Sequence, residues 1–318
     1  MNDTTCRIVS YPSELAAECP RIAVAIGVFD GVHIGHQAIL HELRQLAAAS
    51  DATPVVLFFD PHPRAVLTPE RAPSRLSSPA AKTRLFQDLG VQHLVCFPFT
   101  HELAALSPAE FLERYFFVPG LTVTAFCVGQ NWRFGKGHSG DGALLAELGR
   151  AHGVDTRVMP SVRFGSDVVS STRIRRAVAA GELELARAML GRPYSIDGVV
   201  SHGRGVGGKL LKCPTANIVD HGLLLPPFGI YAARGRVGQQ LLDGVAYIGD
   251  APTIRRHGKP EVVVELHLFS YAADLYGKEI EVLFYRFLRP SMNFADTASL
   301  SAQIQRDIKA ASLALLDE

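Results

Sequence analysis

Apolar residues in the first half of the chain gather in short runs separated by amphipathic stretches. The runs Ile22–Ile26, Pro54–Phe59, His93–Phe97, Val123–Val128 and Thr156–Met159 are rich in Val and Phe. Strands covered on both faces read this way. Between them, Gly35–Ala49, Ala80–Leu89, Pro108–Phe117 and Asp141–His152 carry helical spacing. In the first of these, Ile39, Leu40, Leu43, Leu46 and Ala47 fall on one face. Ser107-Pro108 makes a helix start, an N-cap followed by proline in the first turn. The alternation predicts a Rossmann-like, doubly wound parallel sheet, with ligands at the carboxyl ends of its strands.

Near residue 187 the pattern changes. One helical stretch, Ser171 to Leu190, is expected to end at Gly191-Arg192-Pro193. Strand-like segments follow at Ile196–His202, Ile230–Val237, Leu241–Ile248, Glu261–Phe269 and Glu279–Phe287, separated by Gly- and Pro-containing turns. That spacing predicts a small antiparallel β-barrel. A terminal helix of about 20 residues is expected from Thr297, N-capped by Asp296, with Leu300, Ile304, Ile308 and Leu315 on one face. The expected fold is therefore α/β plus β, with domains at 1–187 and 188–318.

Composition narrows the function classes. A chain of 318 residues, 47% hydrophobic, can bury two cores. A formal net charge of +1 gives no electrostatic case for nucleic acid. No apolar run approaches the ~18 residues of a membrane span, and no signal peptide is expected from Met1-Asn2-Asp3 onward. The five cysteines are scattered without a CxxC pair, which fits a reduced, cytoplasmic protein. The pattern carries no signal for an oligomeric state.

Four strings in the first half carry chemistry. The first is Gly27-Val28-Phe29-Asp30-Gly31-Val32-His33-Ile34-Gly35-His36. It joins an expected strand to a helix N-terminus, where free N–H groups and the helix dipole face an anion. Gly31 and Gly35 allow a triphosphate close to the backbone, and His33 and His36 add side-chain donors. The bland alternative is a turn whose histidines cap a helix. The second string, Phe59 to Arg64, reads as a proline-stiffened loop or a ligand cover. In the third, Val128 to Gly135, Asn131 offers polar recognition, and Trp132 and Phe134 offer a wall for a flat ring. The fourth is Ser170-Ser171-Thr172-Arg173-Ile174-Arg175-Arg176. Arginines in a first helical turn oppose the dipole unless a polyphosphate is bound there. A basic solvated face is the alternative.

The second half adds a glycine-rich loop, Gly203-Arg204-Gly205-Val206-Gly207-Gly208-Lys209, able to cradle phosphate or to be a flexible hairpin. Pro214-Thr215-Ala216-Asn217 follows, and Pro and Asn favour a turn. In the segment from Glu261, Val262, Val264, Leu266 and Leu268 share the expected core face. Glu265 and His267 then point the other way.

These strings resemble the bacterial bifunctional riboflavin kinase/FMN adenylyltransferase (FAD synthetase) family. Its GxFDGxHxGH string is complete at Gly27–His36 and its SSTxIR string at Ser170–Arg175. Its aromatic–glycine and PHP-type loops are matched at Gly129–Gly135 and Pro61–Pro63. The HxGH core alone also occurs in other nucleotidyltransferases, from which the Phe-Asp-Gly version and the second domain separate this chain. The resemblance implies that His33 and His36 hold ATP phosphates, with Arg175 as a further catalytic cation. It implies that Gly27, Phe29, Asp30, Gly31, Asn131, Ser171, Thr172 and Arg173 bind ATP or the flavin nucleotide. In the barrel it implies nucleotide contacts from Gly203 and Gly205. Thr215 and Asn217 then hold nucleotide and Mg²⁺, and Glu265 takes the proton of the riboflavin ribityl hydroxyl. The implied cofactors are ATP and Mg²⁺, with riboflavin, FMN and FAD as substrates or products.

The departures from the family pattern cluster in the barrel. The usual Gly-aromatic pair before the PTAN element is Lys212-Cys213. The Asn-Ile-Gly-Thr-type segment appears as Tyr247-Ile248-Gly249-Asp250, and Ser270 replaces an acidic residue. The readings left open are a bifunctional enzyme, an adenylyltransferase with a degenerate or redirected kinase domain, another HxGH nucleotidyltransferase, and a non-catalytic flavin or nucleotide binder.

Overall fold

The computed structural model describes residues 6–201, 215–220, 222–256, 259–271, 273–316 and 318. The chain folds as two compact units, Met1–Pro73 with Pro79–Ser170 and Ser74–Ser78 with Ser171–Glu318.

In the first unit the elements run β1 (Arg7–Val9), β2 (Arg21–Gly27), α1 (Ile34–Ala49), β3 (Thr53–Asp60), α2 (Pro63–Leu67), α3 (Pro79–Asp88), β4 (His93–Pro98), α4 (His101–Ala105), α5 (Pro108–Tyr115), β5 (Thr122–Gly129), α6 (Gly142–Arg150) and β6 (Asp155–Met159). A small hairpin, β7 (Arg163–Phe164) and β8 (Asp167–Val168), follows. The six strands of the main sheet are parallel, in the order β1-β4-β3-β2-β5-β6. From β2 the chain builds outward through β3 and β4, then returns to the other side of β2 with β5. The point where strand order reverses therefore lies between β2 and β5, and open α/β sheets bind ligands there, at the carboxyl ends.

Side-chain alternation splits the core in two. Ile22, Val24 and Ile26 face one side with Leu57, Phe126, Phe111 and Leu145. Ala23 and Ala25 face the other with Phe58, Leu40, Leu43 and Phe86. Small side chains on β2 let α1 pack close over the strand that carries the first string. The five expected strands and four expected helices of this half are all present. Outside those expectations lie β1, the β7–β8 hairpin, the five-residue helices α2 and α4, and short 3₁₀ turns at Pro12–Leu15, Pro69–Arg71 and Lys136–His138.

The second unit opens with α7 (Ser171–Ala180) and α8 (Leu183–Leu190). The single helix expected over 171–190 is thus two, broken at Gly181 with φ 77°. The strands are β9 (Tyr194–Ser201), β10 (Ala216–Asp220), β11 (Gly229–Val237), β12 (Gln240–Arg256), β13 (Lys259–Leu268) and β14 (Glu279–Arg289). They close into an antiparallel barrel in the order β10-β13-β12-β11-β14-β9. Ile196, Val200, Ile218, Ile248, Val264, Leu266, Val282 and Phe284 are buried. Val262, expected with the core face, is 39% exposed near one end of β13.

The terminal helix α9 (Thr297–Leu316) packs Ala311, Ala314 and Leu315 against Ala232, Leu283 and Tyr285. Asp296 caps it, accepting from the Ser299 N–H at 2.6 Å. Its buried stripe runs through Asp307, Ala311, Ala314 and Leu315, so Leu300, Ile304 and Ile308 sit half-buried beside the expected face. Asp307 takes two hydrogen bonds from the Arg289 guanidinium, at 2.9 and 2.6 Å, and one from Gln303 at 2.8 Å. Arg234 donates to the Leu315 carbonyl at 3.0 Å, a cation at the helix C-terminus.

Candidate active sites

β2 ends at Gly27 and α1 begins at Ile34, so the first string is the turn between them. Phe29, Gly31 and Val32 have φ of 50°, 80° and 39°. Left-handed backbone is strained for Phe, and more so for β-branched Val. Both side chains are buried, at 1% and 0% exposure, which holds the turn in this shape. The Phe29 ring lies edge-on to His36 and Phe86, with centroids at 5.1 and 5.8 Å. Asp30 is buried beside it in sequence. Strain held by packing is typical of a pre-organised site.

His33 is the N-cap of α1, and its Nδ1 accepts the His36 backbone N–H at 3.3 Å. An accepting Nδ1 makes Nε2 the proton-bearing nitrogen of the neutral ring. The His33 and His36 rings stack with centroids 3.6 Å apart and planes 17° off parallel. A Cβ on Gly35 would come within 3.2 Å of the His33 ring, so glycine makes room for the stack. The first turn of α1 has no acidic side chain that would repel an anion from its dipole end.

The third string leaves β5 at Gly129, on the other side of the same reversal point. Trp132 and Phe134 stack with centroids 4.5 Å apart, and Phe134 exchanges backbone hydrogen bonds with Gly140, at 3.1 and 2.9 Å. Asn131 is exposed and donates to Ser161 Oγ at 3.2 Å. Next to them is a cavity of 360 Å³ lined by Val28, Phe59, His62, Arg64, Phe99, Phe111, Asn131, Trp132 and Phe134. One cavity therefore gathers residues from the first, second and third strings.

The sequence marks His62 only as part of a loop. In the fold it caps α2, its Nδ1 accepting the Arg64 N–H at 3.0 Å, which again makes Nε2 the proton-bearing nitrogen. Phe99 and Phe111 complete the apolar wall. The aromatic density around Phe97-Pro98-Phe99 is their one signal in the sequence. Asp141, the N-cap of α6, accepts from the Ala143 and Leu144 N–H groups at 3.0 Å each, and these bonds hold its carboxyl below the usual range.

The fourth string opens α7 in the second unit. Ser171, Thr172, Arg173 and Arg175 occupy its first residues, with no acidic side chain in the first turn. Ile174, Ala177 and Val178 anchor the helix on its buried face. Arg175 Nε donates to the Ser74 carbonyl at 2.7 Å, which fixes the guanidinium's stem.

In the barrel, the PTAN element is not a turn beyond Thr215. Ala216–Asp220 forms β10, paired with β9 and β13. Asn217 stands directly opposite Glu265 on one side and Ser201 on the other. Glu265 stands opposite Tyr247 of β12. Directly opposed residues of antiparallel strands share a face, with Cβ atoms about 5 Å apart. Ala216, Ile218, Val264 and Leu266 are buried on the other face. Two positions 48 residues apart in sequence are thus neighbours on one wall. The Tyr247 phenol folds back over Gly249, where a Cβ would clash with its hydroxyl. Gly203, Gly205 and the Lys212-Cys213 pair lie outside the described residues.

Comparisons with known proteins place the two halves of the chain in one family. The FAD synthetase family model matches residues 16–173, and the riboflavin kinase family model matches residues 190–315. The chain is 38% identical over 286 residues to the bifunctional riboflavin kinase/FMN adenylyltransferase of Pseudomonas fluorescens, covering 90% of each chain. It is 35% identical to the protein of the same description from Escherichia coli K12, covering 89% of this chain and 90% of that one. A solved structure described as a macrolide-efflux protein from Streptococcus pneumoniae shares the fold, with a TM-score of 0.79 at 24% identity, over 94% of this chain and 96% of that one. The chain belongs to the bifunctional riboflavin kinase/FMN adenylyltransferase family.

Proposed function

We propose that this chain makes FAD in two steps, phosphorylating riboflavin to FMN in the barrel and adenylylating FMN in the α/β half, along domains 1–187 and 188–318. The observation that carries the reading is the stacked His33–His36 pair at the N-terminus of α1, set where strand order reverses. For the kinase step the support is the placement of Asn217 beside Glu265.

In the adenylyl step, an FMN phosphate oxygen attacks the α-phosphorus of ATP, and the bond to the β-phosphate bridging oxygen breaks, releasing pyrophosphate. Nothing in this step requires a protein base. The residues act by position and charge. The α1 N-terminus, Gly27, Asp30 and Gly31 frame the phosphates, and Phe29 fixes the turn. His33 and His36 donate to the oxygens that gain charge. Ser171, Thr172, Arg173 and Arg175 are further polyphosphate ligands. The Trp132–Phe134 stack, with Asn131, suits a flat heteroaromatic ring.

In the kinase step, Glu265 accepts the proton of the ribityl hydroxyl as its oxygen bonds to the γ-phosphorus of ATP. The bond to the β-phosphate bridging oxygen breaks and ADP leaves. Thr215 and Asn217 would hold Mg²⁺. Hydroxyl, amide and carboxylate oxygens are the hard donors this ion takes, and β10 and β13 set the Asn217 amide opposite the Glu265 carboxylate. Bound there, the ion would supply charge neutralisation of the phosphates. Gly203 and Gly205 contribute phosphate contacts in this reading.

Small-molecule flavins and ATP are the partners; a net charge of +1 favours no nucleic acid. Among the described residues no helix is long and apolar enough to cross a membrane. Cys6, Cys19, Cys96 and Cys127 are free thiols, which supports a cytoplasmic setting. Burial pushes the Cys127 thiol up to about 12, so it stays inert.

The test is to incubate the purified protein with ATP and Mg²⁺, once with riboflavin and once with FMN, and to separate the flavins by chromatography. FAD from both is expected. FAD from FMN alone would mean a barrel that has lost or redirected its kinase role, and no FAD from either would overturn the reading.

A further inference from the structure

At the amino-terminal edge of the parallel sheet, opposite the end that carries the first string, three metal-binding side chains converge. Glu18 and Cys19 follow the short helix Pro12–Leu15, and their backbone N–H groups both donate to the Leu15 carbonyl, at 3.0 and 2.7 Å. His93 opens β4 between Arg7 of β1 and Val55 of β3. Cys19 Sγ lies 3.3 Å from His93 Nε2, which in turn lies 3.6 Å from Glu18 Oε1. The three ligand atoms are all within 4.8 Å of one another.

We propose that Cys19, His93 and Glu18 form a zinc site. Zinc binds sulfur and nitrogen at about 2.3 and 2.0 Å in tetrahedral array, which places two ligand atoms about 3.3–3.8 Å apart. The Sγ–Nε2 and Nε2–Oε1 separations match such edges. A thiolate, an imidazole and one carboxylate select a borderline-soft tetrahedral ion, not Mg²⁺, which takes oxygens in octahedral array. This site is therefore distinct in chemistry from the one that serves ATP.

Arg7 holds the other Glu18 oxygen, Oε2, at 3.4 Å, leaving Oε1 toward His93. Cys19 is buried, the His93 side chain is 20% exposed and that of Glu18 54%, so an ion enters on the Glu18 side and a water completes the fourth corner. On binding, the Cys19 thiol proton passes to solvent and the sulfur ligates as thiolate. The bound ion ties the segment before β2 to the first residue of β4, bracing the sheet far from the chemistry.

The full-length protein is titrated with Co²⁺ and Zn²⁺ after chelation and removal of metal. One Co²⁺ per chain is expected, with a thiolate charge-transfer band and the intense visible bands of tetrahedral cobalt, and one Zn²⁺ displaces it. Zn²⁺ also raises the thermal midpoint. Cys19→Ser and His93→Gln each abolish the band and the thermal shift while leaving FAD formation from FMN intact. Glu18→Ala weakens binding by about 10–100-fold, at least the loss usual for a supporting group. X-ray absorption of the zinc-loaded wild type, which needs no variant, shows one sulfur in a shell of nitrogen and oxygen. A band that survives in both Cys19→Ser and His93→Gln, or a zinc shell without sulfur, overturns the site.

Discussion

The two halves present their chemistry in opposite ways. In the α/β half, ten consecutive residues contain the strand end, the strained turn, both histidines and the helix N-terminus. In the barrel, Asn217 and Glu265 become neighbours only through the register of two antiparallel strands. The contrast follows from how each sheet is built. A parallel strand hands the chain directly to a helix at the ligand edge, so the βα turn is itself the site. An antiparallel wall takes one residue from each of several strands, so its site is scattered along the sequence.

The contrast breaks most cleanly at the two sites. Glu265→Gln removes the proposed acceptor of the ribityl proton and is expected to slow FMN formation by about 10²–10⁴-fold, leaving FAD formation from supplied FMN unchanged. Flavin chromatography reads both rates, and undiminished FMN formation would remove Glu265 from its role. His33→Ala should slow FAD formation from FMN by about 10²–10³-fold, the usual loss for one pre-organised donor. Riboflavin phosphorylation should not change. An unaltered adenylylation rate would reduce the histidine to a helix cap.

Stability separates the halves more gently. Asp307→Ala leaves the Arg289 guanidinium, 17% exposed, without its carboxylate and should cost the barrel about 3 kcal/mol. Denaturant unfolding followed by a probe in each half would show the barrel midpoint moving first. Equal shifts in both would contradict a local role. Ser107→Ala removes the capping box of α5 and should cost the α/β half about 1 kcal/mol.

The smallest effect is one of pH. Backbone and hydroxyl hydrogen bonds hold Glu110, Asp141 and Asp296 below their ordinary values of 4.5, 3.8 and 3.8. Carboxyls with lowered folded values stabilise the protein above their unfolded values and lose that contribution as pH falls through the folded ones. The thermal midpoint should therefore be flat above pH ~5 and decline in acid below pH ~4. A midpoint that rises in that window would contradict the capping bonds.

The same contrast explains what could be read from the sequence. The main strands β2 to β6 are legible because burial on both faces leaves apolar runs, and the barrel's longer strands because turns punctuate them. β10 is not, since Pro214 and Asn217 are turn formers and Ile218 and Val219 are its only large apolar residues. α2 and α4, at five residues each, are too short to display a helical period. The break at Gly181 is hidden because Ile174, Ala177 and Val178 and then Leu183, Ala186, Met189 and Leu190 read as one continuous stripe.

Of the sites, the histidine string is legible whole. His62 is marked only through its loop, and Phe99 and Phe111 carry no sequence signal that joins them to the cavity wall, because they reach it from beyond the end of β4 and from the middle of α5. Ser201 and Tyr247, flanking the Asn217–Glu265 pair, need the register.

One experiment bears most directly on two sites of independent chemistry in one chain. His33→Ala and Glu265→Gln proteins are each given riboflavin, ATP and Mg²⁺, singly and then mixed, and the flavins are separated. The expected result is accumulation of FMN with little FAD from the first, little of either flavin from the second, and FAD formed from the mixture much faster than from either variant alone. FAD formed from either variant alone at the wild-type rate, or no gain from mixing when each variant retains its own single step, would contradict it.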